Sequence, residues 1–254
     1  MTEPDELYTL RAQFWLGHYS LCLEEVKALI RRPMPPHLKA EREEIAARAL
    51  LAMGEYDKVI REGDGPTKSP AMQVLALYAK YLSTSDVATR ESIVESLQKM
   101  TNNPSSSPSF QLTASHLFLA ADKTREALQC IYLGTTMEHL SSCVQIYIKI
   151  DRLDLAKDCL NLMKQADEDA ILTQLSGVHY NIAQGRSTAN DAIHTLMSLT
   201  EQYGPNTLLL NVSAVAHMVA ENYEAAEAAL QTAITDFQAD DNVDTLINLA
   251  VCGQ

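Results

Sequence analysis

A short motif recurs along this chain and leaves little freedom in what it can fold into. Gly17-His18-Tyr19-Ser20-Leu21-Cys22-Leu23 reads Gly-x-aromatic-x-x-small-apolar, and Gly54-Glu55-Tyr56-Asp57-Lys58-Val59-Ile60 repeats it with a β-branched residue in the small position. Further copies are Asp122-Lys123-Thr124-Arg125-Glu126-Ala127-Leu128, Asp151-Arg152-Leu153-Asp154-Leu155-Ala156 and Glu221-Asn222-Tyr223-Glu224-Ala225-Ala226-Glu227. A looser copy ends in Ala192-Ile193, with its key position near Ala189. The key positions Tyr19, Tyr56, Thr124, Leu153 and Tyr223 share one register, with a period of about 34 residues. One copy is skipped between Ser83 and Ser92, where Tyr81-Leu82 and Ile93-Val94 keep a helical pattern although the signature has decayed.

That period is the length of a tetratricopeptide helix-turn-helix unit. The chemistry agrees: a tight turn ends the first helix, a large residue wedges between helices, and a small one lets the second helix approach closely. Breakers fall between the units, at Pro33, Pro35 and Pro36, at Gly63 to Pro70, along Thr101 to Ser109, and at Gly204-Pro205. First helices are expected at 5–17, 37–53, 70–82, 109–121, 136–150, 168–184 and 206–220. Second helices are expected at 20–31, 55–62, 86–100, 123–132, 152–165, 189–202 and 222–236, with one more helix from Asn242. Residues 1–254 thus read as a single all-α, tetratricopeptide-like solenoid of about seven hairpins plus a terminal helix, with a long loop near 101–109.

Net charge of −13 argues against nucleic acid or an anionic membrane as the main partner. Cys22, Cys130, Cys143, Cys159 and Cys252 are odd in number and lack CxxC spacing, so reduced thiols are expected rather than disulfides or a zinc site. No catalytic motif stands out: HExxH, GxSxG and the phosphate loop are absent, and no two histidines fall four apart with an acidic partner. Gly63-Asp64-Gly65-Pro66-Thr67-Lys68 is a turn, because Pro66 removes an amide donor. Neither an enzyme site nor a metal or cofactor site is expected.

In such repeats the first helices line the concave side. Counting back from each key position gives the inward pairs Leu7 and Arg11, Glu44 and Arg48, Leu112 and His116, Ser141 and Gln145, and Asn211 and Val215. Three residues further on lie Leu51, Leu119, Ile148 and Met218, and Phe14 and Trp15 are candidate aromatic anchors, with a core role expected for at least one of them. The partner-binding set expected from this is Arg11, Phe14, Arg48, Leu51, Leu112, His116, Leu119, Gln145, Ile148, Asn211, Val215 and Met218. A mixed apolar and polar lining suits a protein segment held in a groove. A tetratricopeptide adaptor or co-chaperone scaffold is the alternative reading, but co-chaperones hold a C-terminal carboxylate with Lys and Asn at these positions, and no such pair occurs.

Lys149-Ile150-Asp151-Arg152-Leu153-Asp154-Leu155-Ala156, followed by Asp167-Glu168-Asp169-Ala170 and Leu172-Thr173-Gln174-Leu175, resembles the coatomer epsilon subunit family. Asp5-Glu6-Leu7, Leu208-Leu209-Leu210-Asn211 and Asp244-Thr245-Leu246-Ile247-Asn248-Leu249 support it. The resemblance implies a right-handed superhelix able to close into a ring around its partner, the C-terminal region of the coatomer alpha subunit, with the other coatomer subunits met indirectly. It implies a non-catalytic role in Golgi-to-endoplasmic-reticulum and intra-Golgi transport, and a cytoplasmic chain peripheral on Golgi membranes and coated vesicles. Family members usually continue past the position of Gln254, so Leu246, Leu249 and Val251 are expected to need cover from a terminal cap or a partner.

Overall fold

The computed structural model describes residues 5–102, 107–134 and 136–253, and among them every regular element is a helix. The order is α1 (Tyr8–Trp15), α2 (Tyr19–Ile30), α3 (Pro36–Ala52), α4 (Tyr56–Gly63), α5 (Pro70–Ser83), α6 (Val87–Thr101), α7 (Pro108–Ala120) and α8 (Thr124–Ile131). There follow α9 (Met137–Lys149), α10 (Leu153–Ala166), α11 (Ile171–Gln184), α12 (Arg186–Tyr203), α13 (Thr207–Val219), α14 (Tyr223–Phe237) and α15 (Val243–Cys252). The chain forms two compact units, residues 1–143 and 144–254, and their boundary falls inside α9.

The recurring motif is a backbone device. Gly17, Gly54, Asp122, Asp151 and Glu221 all have positive φ, and each stands two residues before the first residue of a second helix. In every case the amide of the left-handed residue donates three residues back, and the next amide donates five back. Gly54 donates to Leu51 O and Glu55 to Leu50 O, Asp151 to Ile148 O and Arg152 to Tyr147 O, Glu221 to Met218 O and Asn222 to His217 O. This pattern satisfies the carbonyls that the ending helix would leave bare and reverses the chain in two residues. Five residues after each left-handed turn sits the small or β-branched residue: Cys22, Val59, Ala127, Ala156 and Ala226, all completely buried.

Helix starts follow elementary capping chemistry. Pro36, Pro70 and Pro108 occupy first helical positions, where the missing N–H costs nothing. Ser69 and Ser107 accept from the amides of Met72 and Phe110, and Asn206, Asn222 and Asn242 do the same for α13, α14 and α15. In the first unit, Leu10, Cys22, Leu29, Ile45 and Ala49 join α1, α2 and α3 into one core. Val59, Met72, Leu75 and Ala79 carry that packing through α4 and α5. In the second unit, Ala214 of α13 meets Ala226 and Leu230 of α14.

Three expectations shift. Helix α11 begins at Ile171 rather than 168, because the Asp167 carboxylate accepts the amides of Asp169 and Ala170 and holds the acidic run as a turn ahead of the helix. Helix α1 begins at Tyr8, with Asp5 accepting the Leu7 amide. The sixth hairpin turns at Gly185, φ 94°, directly before α12, so its register point lies ahead of Ala189. The loop expected near 101–109 lies between α6 and α7, and its residues 103–106 fall outside the described residues. Cys22 and Cys143 are buried, the other three cysteines are half-buried, and none of the five forms a disulfide.

Candidate partner-binding surface

The first helices of the first unit are joined by side chains at or beside the positions expected to face inward. Arg48 of α3 places its guanidinium 4.5 Å from the Phe14 ring centroid of α1, and Tyr19 packs tilted against the same ring at 5.9 Å. From there Arg48 reaches Glu138 of α9 with two nitrogens, at 2.8 and 3.2 Å. Trp15 of α1 donates its indole N–H to the same carboxylate at 2.9 Å. His116 of α7 lies 3.2 Å from the Ser142 hydroxyl of α9. Nearer the start of the helices, Arg11 binds Glu41 through two nitrogens, at 2.6 and 2.9 Å, and Asp5 at 2.6 Å. Glu44 accepts from the hydroxyls of Ser69, which caps α5, and of Ser109 in α7.

The electrostatics follow from that packing. Burial opposes the Glu138 charge, but the Arg48 guanidinium, the Trp15 N–H and the charge-stabilising neighbourhood outweigh it and hold the carboxyl at about 2. Burial and the adjacent Arg48 charge push His116 down to about 4, so it is neutral near pH 7. The expected cations on this face are therefore already neutralised by the chain's own carboxylates. The surface here is one of satisfied ion pairs interspersed with apolar side chains.

The expected residues divide into three groups. Phe14, Arg48 and His116 come together around Glu138, and Arg11 sits in its own cluster with Glu41. Leu51, Leu119, Ile148, Val215 and Met218 are half-buried, and Gln145 is exposed. Leu112 is 3% exposed and belongs to the core of the chain. Asn211 is also buried, because its amide donates to Thr207 O and Thr245 Oγ1 and its carbonyl accepts from Asn248. Those contacts fasten α15 to α13.

Glu41, Ser109 and Glu138, which the inward pairs leave out, share one register position. Each lies three residues before Glu44, Leu112 and Ser141 respectively, so extending the inward face by one helical turn finds all three. Trp15 is visible in the sequence as an aromatic anchor, but its hydrogen-bond partner is not.

The family model for the coatomer epsilon subunit matches residues 3–254. The chain belongs to the coatomer epsilon subunit family. Coatomer subunit epsilon-1 of Arabidopsis thaliana is 35% identical over 99% of this chain and 84% of its own length. Coatomer subunit epsilon of Dictyostelium discoideum is 32% identical over 98% of this chain and 84% of its own length. Among solved structures, a tetratricopeptide repeat protein from Parabacteroides merdae superposes with a TM-score of 0.53 at 13% identity, covering 85% of this chain and 79% of that one. That likeness speaks for the fold alone. As an epsilon subunit the chain is a structural component of the coatomer vesicle coat, not an enzyme, and its partners are proteins within coatomer. No helix among the described residues is long and apolar enough to cross a membrane.

Proposed function

We propose that this epsilon subunit binds and stabilises the C-terminal region of the coatomer alpha subunit through the inward face of its first helices. In this reading it serves Golgi-to-endoplasmic-reticulum and intra-Golgi transport, held on Golgi membranes only through the assembled coat. The observation that carries it is a recurrent one. Phe14, Leu51, Leu119, Ile148 and Met218 occupy one hairpin position, the residue whose carbonyl receives the first turn amide, and each is apolar and half-buried. A partly exposed apolar side chain repeated at one structural position packs on the core with one side and offers a partner its remaining exposed area. Arg11, Arg48, His116, Gln145 and Val215 complete the candidate contacts as the polar and mixed part of the lining.

Leu112 and Asn211 enter the proposal differently, since they hold the helices that present the lining. Isothermal titration of the purified chain against the C-terminal region of the alpha subunit tests the assignment. Saturable binding at micromolar concentration or tighter is the expected result, and its absence would overturn the reading.

A further inference from the structure

We infer that the end of the α2–α3 hairpin is a second protein-binding site, one that takes a short acidic segment of a partner protein. Residues 26–40 contain Lys27, Arg31, Arg32 and Lys39 but no Asp or Glu, in a chain of net charge −13. Only five residues join Ile30 to Pro36, so the last turn of α2 and the first turn of α3 come together and gather the four cations at one end. All four are exposed, and none has an ion pair among the described residues.

A fifth cation at this end is buried and poorly paired. Arg42 of α3 is 8% exposed and donates Nη1 to Leu29 O, in the last turn of α2, at 3.2 Å. Its Nε has no partner, and its acid, Glu43, stays 3.8 Å away with a side chain 67% exposed. A guanidinium withdrawn from water without a close carboxylate is unfavourable, and an incoming carboxylate relieves it. The nearby acids do not neutralise the end. Asp5 and Glu41 both bind Arg11, Glu6 is exposed ahead of α1, and Glu24 and Glu25 lie roughly 8–9 Å back along α2 from Ile30. The local excess is positive, opposite in sign to the chain as a whole.

The surroundings select the ligand. Met34 is buried in the core of α1, α2 and α3, and Pro33, Pro35 and Pro36 fix the backbone around it, so the connection gives up little freedom on binding. Ile30, 61% exposed, offers an apolar contact beside Arg31. Neighbouring guanidinium forks match side-chain carboxylates in paired hydrogen bonds. Glu6, Glu24 and Glu25 border the end, so a broad anionic surface such as a bilayer or a nucleic acid meets their repulsion, while a narrow segment laid across the connection does not. The site uses none of the residues around Glu138.

Fluorescence anisotropy tests this, with the purified chain titrated into a labelled peptide of Glu and Gly residues around one central Leu. The expected result is saturable binding that weakens as salt rises, and at least about tenfold weaker binding to the Arg31→Gln, Arg32→Gln double variant. The exposed control Arg125→Gln keeps full affinity, the same peptide with Gln for Glu does not bind, and all variants keep the parent's thermal midpoint. No binding of the acidic peptide, equal binding of the neutral one, or undiminished binding to the double variant would each overturn the proposal. So would phosphatidylserine vesicles binding through the same two arginines, since that would make the ligand a lipid headgroup.

Discussion

Trp15 in the first hairpin and Glu138 in the fifth lie 123 residues apart, and the indole N–H donates to the carboxylate at 2.9 Å. The same carboxylate binds Arg48 of the second hairpin, so three first helices meet at one acidic group. The Glu138 side chain is 28% exposed and that of Arg48 14%, which places the pair where solvent screens it incompletely. Removing either partner leaves the other short of its counter-charge. Trp15→Phe, which deletes only the N–H, is expected to cost about 1–2 kcal/mol, and Glu138→Gln more. Urea melts arranged as a double-mutant cycle on Trp15 and Glu138 read the coupling, and strictly additive losses would count against the network.

Acid weakens this unit in two stages. The His116 pKa is lowered in the fold, from 6.5 to about 4, so the unfolded chain takes up the proton first. The stability it lends is present above pH 6.5 and is lost as pH falls through that window to about 4. Glu138 has its pKa lowered from 4.5 to about 2, so its contribution, about 3 kcal/mol, is present above pH 4.5 and lost as pH falls toward 2. Thermal melts from pH 7 to 3 should show both losses, with His116→Asn reducing the first, which His139 shares because burial lowers its pKa as well, and Glu138→Gln reducing the second.

The turns are not all at their most favourable residue. Asp151 holds φ 57° where Gly17 and Gly54 hold the equivalent positions without a Cβ. A non-glycine left-handed residue carries a penalty of roughly 1 kcal/mol. Asp151→Gly is therefore expected to raise stability by roughly 0.5–1 kcal/mol, read as a higher urea midpoint. A lower midpoint would mean that Asp151 contributes something other than the turn.

Helix contacts depend on the small position. Ala156 and Ala226 have no exposed surface. Ala156→Glu or Ala226→Glu brings a long charged side chain into a closed helix crossing, at a cost of several kcal/mol. Circular-dichroism melts should fall well below the parent's, and an unchanged midpoint would refute the register.

Much of this architecture was legible because the repeat writes its own backbone geometry. Glycine or aspartate before Tyr19, Tyr56, Thr124 and Leu153 announces a left-handed turn, and the buried small residues follow at fixed spacing. Of the first-helix positions that the repeat register picks out, Arg48 and His116 do lie together, around Glu138. Their partners were not legible, because Glu138 meets Arg48 across 90 residues, and no local periodicity encodes which helices come close. The same holds for Asn211, whose burial depends on Thr245 and Asn248 of a later helix. The acidic run at Asp167 misled for a simpler reason: a carboxylate favours the start of a helix equally from outside it, as a cap, and from its first turn.

Binding to the alpha subunit's C-terminal region, compared between Ile148→Glu on α9 and Leu162→Glu on α10, tests the central claim most directly. Ile148 is a half-buried residue at the recurrent first-helix position, and Leu162 is 52% exposed on a second helix. If the first helices hold the partner, Ile148→Glu weakens binding at least about tenfold, or about 1.4 kcal/mol, while Leu162→Glu stays within about twofold of the parent. The reverse order, or two variants that bind like the parent, would contradict it.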